Sequence, residues 1–396
     1  MPPREKQDMV NCLDEAGVNG IHLLFDTMAK TDISSAEAYE PADEERIMSM
    51  VTETSGFDIL NNKVNNLLRG WVKDGILEAV QSELELMDSA SKDGSKLSTS
   101  QARLCTNVGN IMFRYADYDQ ALSLPKRALS MNQNTLGEQN LITAASHCNV
   151  GSALTAKGDH EAALLEYQKY HSIHLELLGE DHSETARSHF SIGLVFRKMG
   201  RLHEALEEHQ RALNIRNKAL EKIHADTAAS HNEIGGILQD IHRKEEFYDE
   251  KESVDTDVLI LLHYESALEI REKVYREYHP DTAQSYHNMG AMRFNMWRYR
   301  RSEDLTVKEN CYEEGLAQLD KALNIKQKVL GNDHPSTILT FDLTRDSQHF
   351  KKEWDLFHAR VTDIYSDAFI DNYDDLSVMS AMPKFERARS VMGGFS

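Results

Sequence analysis

Four segments of the chain end alike: ASHCNVG at 145–151, RSHFSIG at 187–193, ASHNEIG at 229–235 and QSYHNMG at 284–290. Their last residues, with an earlier glycine, follow one another at intervals of 42, 42, 42 and 55: Gly109, Gly151, Gly193, Gly235 and Gly290. An alanine precedes each glycine by seven residues: Ala102, Ala144, Ala186, Ala228 and Ala283. Two small residues that recur together at a long fixed interval indicate a structural repeat.

Each repeat is predicted to be a pair of helices, here called helix A and helix B. The quoted segments belong to helix A. Helix B carries small or aromatic residues three to four positions apart, which form one helical stripe: Ala121, Ala163 and Ala205, then Tyr167, His209 and Tyr264, then Ala128, Ala212, Ala267 and Ala322. Glycines follow helix A in two copies, at Gly158 and Gly200. The small residues predict close approach between neighbouring helices.

The links between repeats are also similar, and they predict helix starts. They read GEDHSETA (179–186), KIHADTA (222–228), REYHPDTA (276–283) and GNDHPSTI (331–338). Asp181 and Glu184 have the spacing of a capping box, and Asp333 is a suitable N-cap. Pro280 and Pro335 suit a first helical turn. A new helix A is therefore expected after each link.

These patterns resemble the tetratricopeptide repeat, which has Gly at position eight and Ala at positions twenty and twenty-seven. The 42-residue length, with ALEIREKVYREYHPDTA (267–283) and ALNIKQKVLGNDHPST (322–337), resembles the kinesin light chain type. The resemblance covers about residues 98–345. It implies an all-α superhelical solenoid of about five helix pairs with flanking capping helices. The predicted repeats are 102–143, 144–185, 186–227, 228–282 and 283–337.

The last two repeats are each 13 residues longer than the first three. The extra residues fall around 244–256, which is acidic (KEEFYDEKESVDT), and around 299–311 (YRRSEDLTVKENC). The leading interpretation is a longer loop between helices A and B, which solenoids tolerate. A partner-specific loop and an unspliced exon are the alternatives.

The two flanks are predicted to cover the ends of the array. Residues 1–97 form an N-terminal helical region, partly disordered, in which 56–87 is amphipathic. Kinesin light chains carry an N-terminal heptad coiled coil that binds the motor heavy chain, and no sustained heptads occur here. At the other end an apolar stripe predicts a capping helix over 346–370, and 371–396 is expected to be a disordered tail. The stripe consists of Trp354, Phe357, Val361, Ile364 and Ala368.

Composition narrows the class of protein. The chain has 396 residues, 28% of them charged, and a formal net charge of −21. Such a charge disfavours binding to nucleic acid. The four cysteines lack C-x-x-C spacing, which suggests a reducing compartment. The sequence contains no run of 18 apolar residues, so no membrane span is predicted. The N-terminus has no apolar core of the kind found in signal peptides. A cytoplasmic location is expected, and the resemblance adds association with the cytoskeleton.

The resemblance places the partner-binding groove on helix A, at positions two, five, nine, twelve and thirteen. In this sequence those positions hold cations and amides that can grip an acidic, extended peptide. The alternative is a solvated polar face. The predicted groove residues are Arg103, Asn110, Arg114, Arg187, Arg197, Lys198, Asn232 and Asn295.

No catalytic, cofactor or metal site is predicted. The chain lacks the Walker, zincin, nucleophile-elbow and dinucleotide motifs. Its 18 histidines are mostly periodic, and one histidine per repeat cannot converge on one ion. Packing and capping are therefore expected of His147, His189 and His231 and of the link histidines. The pair His171 and His174 has weak metal-chelating spacing without a third ligand.

The sequence thus predicts a protein–protein interaction scaffold or adaptor rather than an enzyme. Its partners would be short, acidic peptide segments of other proteins. Two alternatives stay open: a kinesin light chain-like cargo adaptor bound to kinesin heavy chain, and a regulatory domain of an enzyme complex. Neither the partners nor the oligomeric state can be named from the sequence.

Overall fold

The computed structural model is all helical in the residues that it describes. These are 70, 73–78, 80–81, 84–85, 99–114, 117–220, 223–244, 250–275, 278–299, 305–332 and 334–368. The helices are α1 (Thr99–Arg114), α2 (Tyr118–Leu136), α3 (Leu141–Lys157), α4 (His160–Leu178), α5 (Ser183–Lys198), α6 (Leu202–Ala219), α7 (Ala225–Lys244), α8 (Glu250–Val274), α9 (Pro280–Tyr299), α10 (Leu305–Leu330) and α11 (Pro335–Ala368). The all-α prediction is confirmed.

The helices form five A–B pairs. In each, an odd-numbered helix packs on the even-numbered helix that follows it, from α1 with α2 to α9 with α10. The chain divides into two compact units, up to Val274 and from Tyr275. In the first unit, each helix B up to α6 also packs on the next helix A, and in the second, α10 packs on α11. This alternation is the predicted tetratricopeptide arrangement.

The repeated glycine allows helices A and B of one pair to approach closely. A Cβ built on Gly193 would lie 2.8 Å from the imidazole of His209, and one on Gly235 would lie 2.8 Å from the ring of Tyr264. On Gly290 it would lie 2.8 Å from the main-chain oxygen of Gly315. Real Cβ contacts of this length do not occur, so a larger residue would separate the two helices.

The link histidines, rather than Asp181, cap helix A. The Nδ1 atom of His182 accepts a hydrogen bond of 3.1 Å from the main-chain N–H of Glu184. The same contact recurs at His224, His279 and His334. Asp181 is exposed and pairs with Lys218 instead. The prediction of Asp181 as the cap was wrong by one residue, because capping depends on which side chain reaches the N–H two positions on. Asp333 lies outside the described residues.

Much of the extra sequence in the last two pairs lengthens helix B instead of forming a loop. Helix α8 has 25 residues and α10 has 26, whereas α4 has 19 and α6 has 18. The interpretation as a loop is therefore wrong for the residues from Glu250 onward, which belong to α8, and for those from Leu305 onward, which belong to α10. Polar and charged residues at the start of α8 and α10 are compatible with an exposed helix, and this is why the sequence did not separate the two possibilities.

Both ends of the array carry additional packing. Ile76 and Val80 are buried in one cluster with residues of α1 and α2, and Lys73 pairs with Asp117 at 2.6 Å. The rest of 1–97, apart from the few residues given above, lies outside the described residues, as does 369–396. At the other end, Trp354 packs against Trp297 with 5.9 Å between ring centroids. Helix α11 is continuous through 345–346, where the sequence had placed a boundary.

Candidate functional site

Helix α5 presents a row of large side chains between two helices with smaller ones. The predicted groove positions on α5 hold Arg187, Phe190, Leu194, Arg197 and Lys198, which we call the α5 face. At the same positions α3 has Ala145, Cys148, Ser152, Thr155 and Ala156. On α7 they are Ala229, Asn232, Gly236, Gln239 and Asp240. The α5 face therefore carries larger side chains than the same positions of α3 and α7.

Arg187 is the most accessible cation of the α5 face for which the structure gives partners. Its side chain is 60% exposed, and its nearest carboxylate oxygen belongs to Glu184 at 3.7 Å. The equivalent residues on α3 and α7 are the small Ala145 and Ala229, and the carboxylates of Glu184 and Asp226 act on the charge of Arg187. The guanidinium can therefore form a two-bond contact with an incoming carboxylate.

Arg197 is already engaged within the protein. It pairs with Glu233 at 2.8 Å and with Asp240 at 2.8 Å, both on α7. Gly236 makes room for it, since a Cβ there would lie 2.9 Å from a guanidinium nitrogen. Arg197 joins two successive helices A, and its charge is matched by two carboxylates.

The remaining predicted groove residues lie on helices α1, α5, α7 and α9. Arg103 and Lys198 are exposed, and Asn110, Asn232 and Asn295 are half-buried. Arg114 ends α1, and its side chain lies outside the described residues. Asn295 belongs to the second unit. Arg187, Arg197 and Lys198 thus lie on α5 and Asn232 on α7, and Arg197 contacts α7 through Glu233 and Asp240.

A buried cation lies beneath the α5 face. Arg216 on α6 is 3% exposed, and its guanidinium lies 4.7 Å from the centroid of the Phe190 ring. It donates hydrogen bonds to the main-chain oxygen of Asp226 and to the hydroxyl of Ser230, both at 2.7 Å. Burial lowers the pKa of Arg216, but a guanidinium remains charged at neutral pH. Its two hydrogen-bond acceptors are uncharged, and the charges of the Asp226 and Glu184 carboxylates oppose the effect of burial on its pKa.

Arg216 belongs to a set of buried polar residues that the sequence analysis missed. One buried polar residue occupies the same position in every helix B. The residue 14 positions after it, on the next helix A, is a serine or a threonine. Asn132 donates to Ser146 at 2.8 Å, and Lys326 donates to Thr340 at 2.9 Å. The set repeats at the array's own intervals and was therefore detectable: Asn132, His174, Arg216, Arg271 and Lys326.

The periodic histidines of α3, α5 and α7 each bond a residue of helix B in the same hairpin. His147 donates to Glu166 at 2.6 Å, and this bond holds the pKa of Glu166 below its usual range. His189 bonds Glu208 in the same way. At the third position the partner is another histidine, and the Nδ1 atoms of His231 and His263 are 3.0 Å apart.

The spacing of His171 and His174 does not produce a shared site. His171 bonds Ser188 at 2.8 Å, whereas His174 bonds the main-chain oxygen of Tyr170 at 3.0 Å. Among the described residues, no group of three His, Cys, Asp or Glu is arranged to hold a metal ion. Burial raises the pKa of Cys148, which disfavours the thiolate next to His147.

Comparison with known families agrees with this architecture. A family model described as tetratricopeptide repeat matches residues 100–176, 166–218 and 184–246, and another of the same description matches 312–336. No curated protein matches the sequence. Within the described residues, none of the helices is both long and apolar enough to cross a membrane.

Several solved structures are similar to the chain. TPR-like repeats from Podospora anserina, titled as a kinesin light chain, share 17% identity over 58% of this chain and 97% of that one, with a TM-score of 0.43. BtubC (BKLC) from P. vanneervenii shares 15% sequence identity, covers 68% of this chain and 92% of its own, and has a TM-score of 0.45. YrrB, titled a TPR protein with an unusual peptide-binding site, shares 16% over 65% and 97%, with 0.34.

Proposed function

This chain is a tetratricopeptide repeat protein, and we propose that it is a scaffold that binds acidic peptide segments of partner proteins on the helix A side of the array. Binding is an equilibrium contact with a preformed surface and involves no bond chemistry. The exposed Arg187 guanidinium between Ala145 and Ala229 is the observation that carries the proposal.

The charges around the α5 face favour an acidic ligand. Arg187 supplies a planar, two-bond donor, and Lys198 supplies a second exposed cation at the end of the same helix. Arg216 lies buried under Phe190 as a third cation, and its hydrogen bonds go to a main-chain oxygen and a serine hydroxyl. Arg197 is paired with Glu233 and Asp240, so in this proposal it holds α5 against α7 and the ligand is bound by the other cations.

Amide side chains complete the proposed contact. Asn232 on α7 and Asn110 on α1 are half-buried, and their amides can bond the main chain of an extended peptide. Carboxylates of the ligand would then reach Arg187 and Lys198, with Arg103 and Arg114 serving the α1 end. Asn295 would act in the second unit.

A charge reversal on α5 tests the proposal. The double variant Arg187→Glu, Lys198→Glu should bind acidic peptides on an array at least about tenfold more weakly, since two attractive contacts become repulsive. Each acidic peptide is printed beside a copy with every Glu changed to Gln. Circular dichroism checks that helix content is unchanged.

The matched control is Arg211→Glu, Lys218→Glu on α6. It removes the same two residue types from helix B of the same repeat, where both are exposed. We expect this control variant to bind the acidic peptides of the peptide array as strongly as the unmodified chain does. Equal loss in both double variants would show a net-charge effect, and no loss in the α5 variant would overturn the proposal.

The 42-residue repeat favours a second candidate, a cargo adaptor similar to kinesin light chains. This candidate requires that the chain also bind kinesin heavy chain, and residues 1–97 are the segment to test. A pulldown with residues 1–97 that recovers no kinesin heavy chain would contradict the cargo-adaptor candidate and leave the scaffold role.

A further inference from the structure

Helix α8 exposes three neighbouring apolar side chains. Val258 is 46% exposed, Leu259 is 44% exposed and Leu262 is 53% exposed. Residues three and four apart lie on one face of a helix, so these three side chains form one patch. We call Val258, Leu259 and Leu262 the α8 patch.

The α8 patch departs from the other helices B at positions that the repeat makes equivalent. On α6 these positions hold His203, Glu204 and Glu207, all exposed. On α2 they hold Asp119, Gln120 and Ser123, and on α10 they hold Glu313, Glu314 and Ala317. Only α4, with Leu165, has one large apolar residue in the set. The repeat fold therefore does not require apolar residues there.

The core of the pair does not use these side chains either. The inward face of α8 is supplied by Ile260, Tyr264 and Ala267, which are 0%, 2% and 0% exposed. The α8 patch begins directly after the part of α8 that exceeds the length of α6. The repeat with the longer helix B, α8, therefore also has exposed apolar residues where α6 has polar ones.

Charge indicates the kind of partner. On α8 (Glu250–Val274) the exposed carboxylates of the described side chains follow the patch, at Glu265, Glu269 and Glu272. A complementary segment would carry a short apolar stripe flanked by lysine or arginine. A second copy of the chain would instead bring two acidic helices together, within a protein of net charge −21.

We propose that the α8 patch is a second docking surface, on helix B, for a basic amphipathic helix of a partner protein. The partner's apolar residues at i, i+3 or i+4, and i+7 would cover Val258, Leu259 and Leu262. Its flanking cations would lie near Glu265 and Glu269, which follow the patch on α8. This surface is separate from the α5 face, which lies on helix A and suits acidic ligands.

The test uses the full chain and a fluorescein-labelled 14-residue peptide of leucine and lysine that forms an amphipathic helix. Binding is measured by fluorescence anisotropy at fixed ionic strength. The combined variant Val258→Thr, Leu259→Gln, Leu262→Gln changes no charge and should weaken binding about tenfold, since the apolar contact is lost. The single variant Leu262→Gln should show a smaller loss in the same direction, which covers the case in which the triple variant fails to fold.

The control variant Leu165→Gln, Leu177→Gln removes exposed leucines from α4 and should leave binding unchanged. A peptide of the same composition in shuffled order should bind more weakly than the amphipathic one. Three results would overturn the proposal: full binding by both patch variants, equal loss in the α4 control, or equal binding of the shuffled peptide. Self-association that the patch variant abolishes, seen by sedimentation velocity, would identify a second copy as the occupant and would also overturn it.

Discussion

Arg197 connects two helices A through a single side chain. Its guanidinium is one-third exposed and contacts carboxylates of Glu233 and Asp240 on α7, and it lies over Gly236. Removing it would leave two carboxylates close together without their shared cation. Such pairs contribute more than surface pairs but less than fully buried ones.

We expect Arg197→Ala to destabilise the chain by about 1–2 kcal/mol, because the two carboxylates lose their counter-charge. The urea midpoint, followed by circular dichroism, measures this. Lys218→Ala breaks an exposed pair to Asp181 and should change stability by less than about 0.5 kcal/mol. An Arg197 variant as stable as the Lys218 variant would argue against the inter-helix role.

At the scale of the element, the α7–α8 hairpin differs from the two hairpins before it by its histidine pair. Burial, followed by the charge of His263, lowers the pKa of His231 to about 4. Burial also lowers the pKa of His263. Both values lie below the ordinary value of about 6.5, so the unfolded chain binds more protons than the folded one in that range.

The stability that comes from this pair is therefore present above about pH 6.5 and is lost as the pH falls towards 4. The variant His263→Glu recreates the pairing seen between His147 and Glu166. We expect a shallower fall in Tm between pH 6.5 and 4, because a carboxylate favours the protonated imidazole. The control His203→Glu, at an exposed position of α6, should keep the original slope. If Tm falls equally steeply with pH in the unmodified chain and in both variants, the His231–His263 pair is not the acid-sensitive element.

At the scale of the molecule, contacts are mainly between neighbours along the chain. From α2 to α6 each helix packs on the helices before and after it, and Asn132 and Arg216 on helix B bond serine hydroxyls of the next helix A. In such arrays stability is approximately a sum over repeats and their interfaces. One whole repeat can then be removed if the new interface resembles the old one.

Deletion of residues 144–185, a proposed repeat of 42 residues, should leave a folded helical protein. Asn132 would then face Ser188 in place of Ser146, which is the same residue type. Deletion of 144–183, two residues shorter, turns the next small residues by about 200° around helix A and should abolish cooperative thermal unfolding. Mean residue ellipticity and the unfolding curve distinguish the two. If both deletions unfold alike, the 42-residue frame is not the folding unit.

Local spacing was sufficient to predict the helix pairs. Gly193 and Gly235 recur with Ala186 and Ala228 because two helices can approach closely only where no Cβ intervenes, and that requirement is visible in one dimension. The exposed position of Arg187 on helix A was predictable for the same reason. The acidic-peptide role assigned to that position remains a proposal.

Only the tertiary structure decided how side chains are used between helices. Local spacing does not reveal that Arg197 reaches Asp240, which is 43 residues away. It also does not show that His182, and not Asp181, reaches the helix N-terminus, or that the longer sequence before Val258 continues helix B. The sequence by itself determined which helices form and at what interval, since both depend on residue size and periodicity. Ion pairing, capping and exposure depend on distances across neighbouring helices, which arise only when the helices pack.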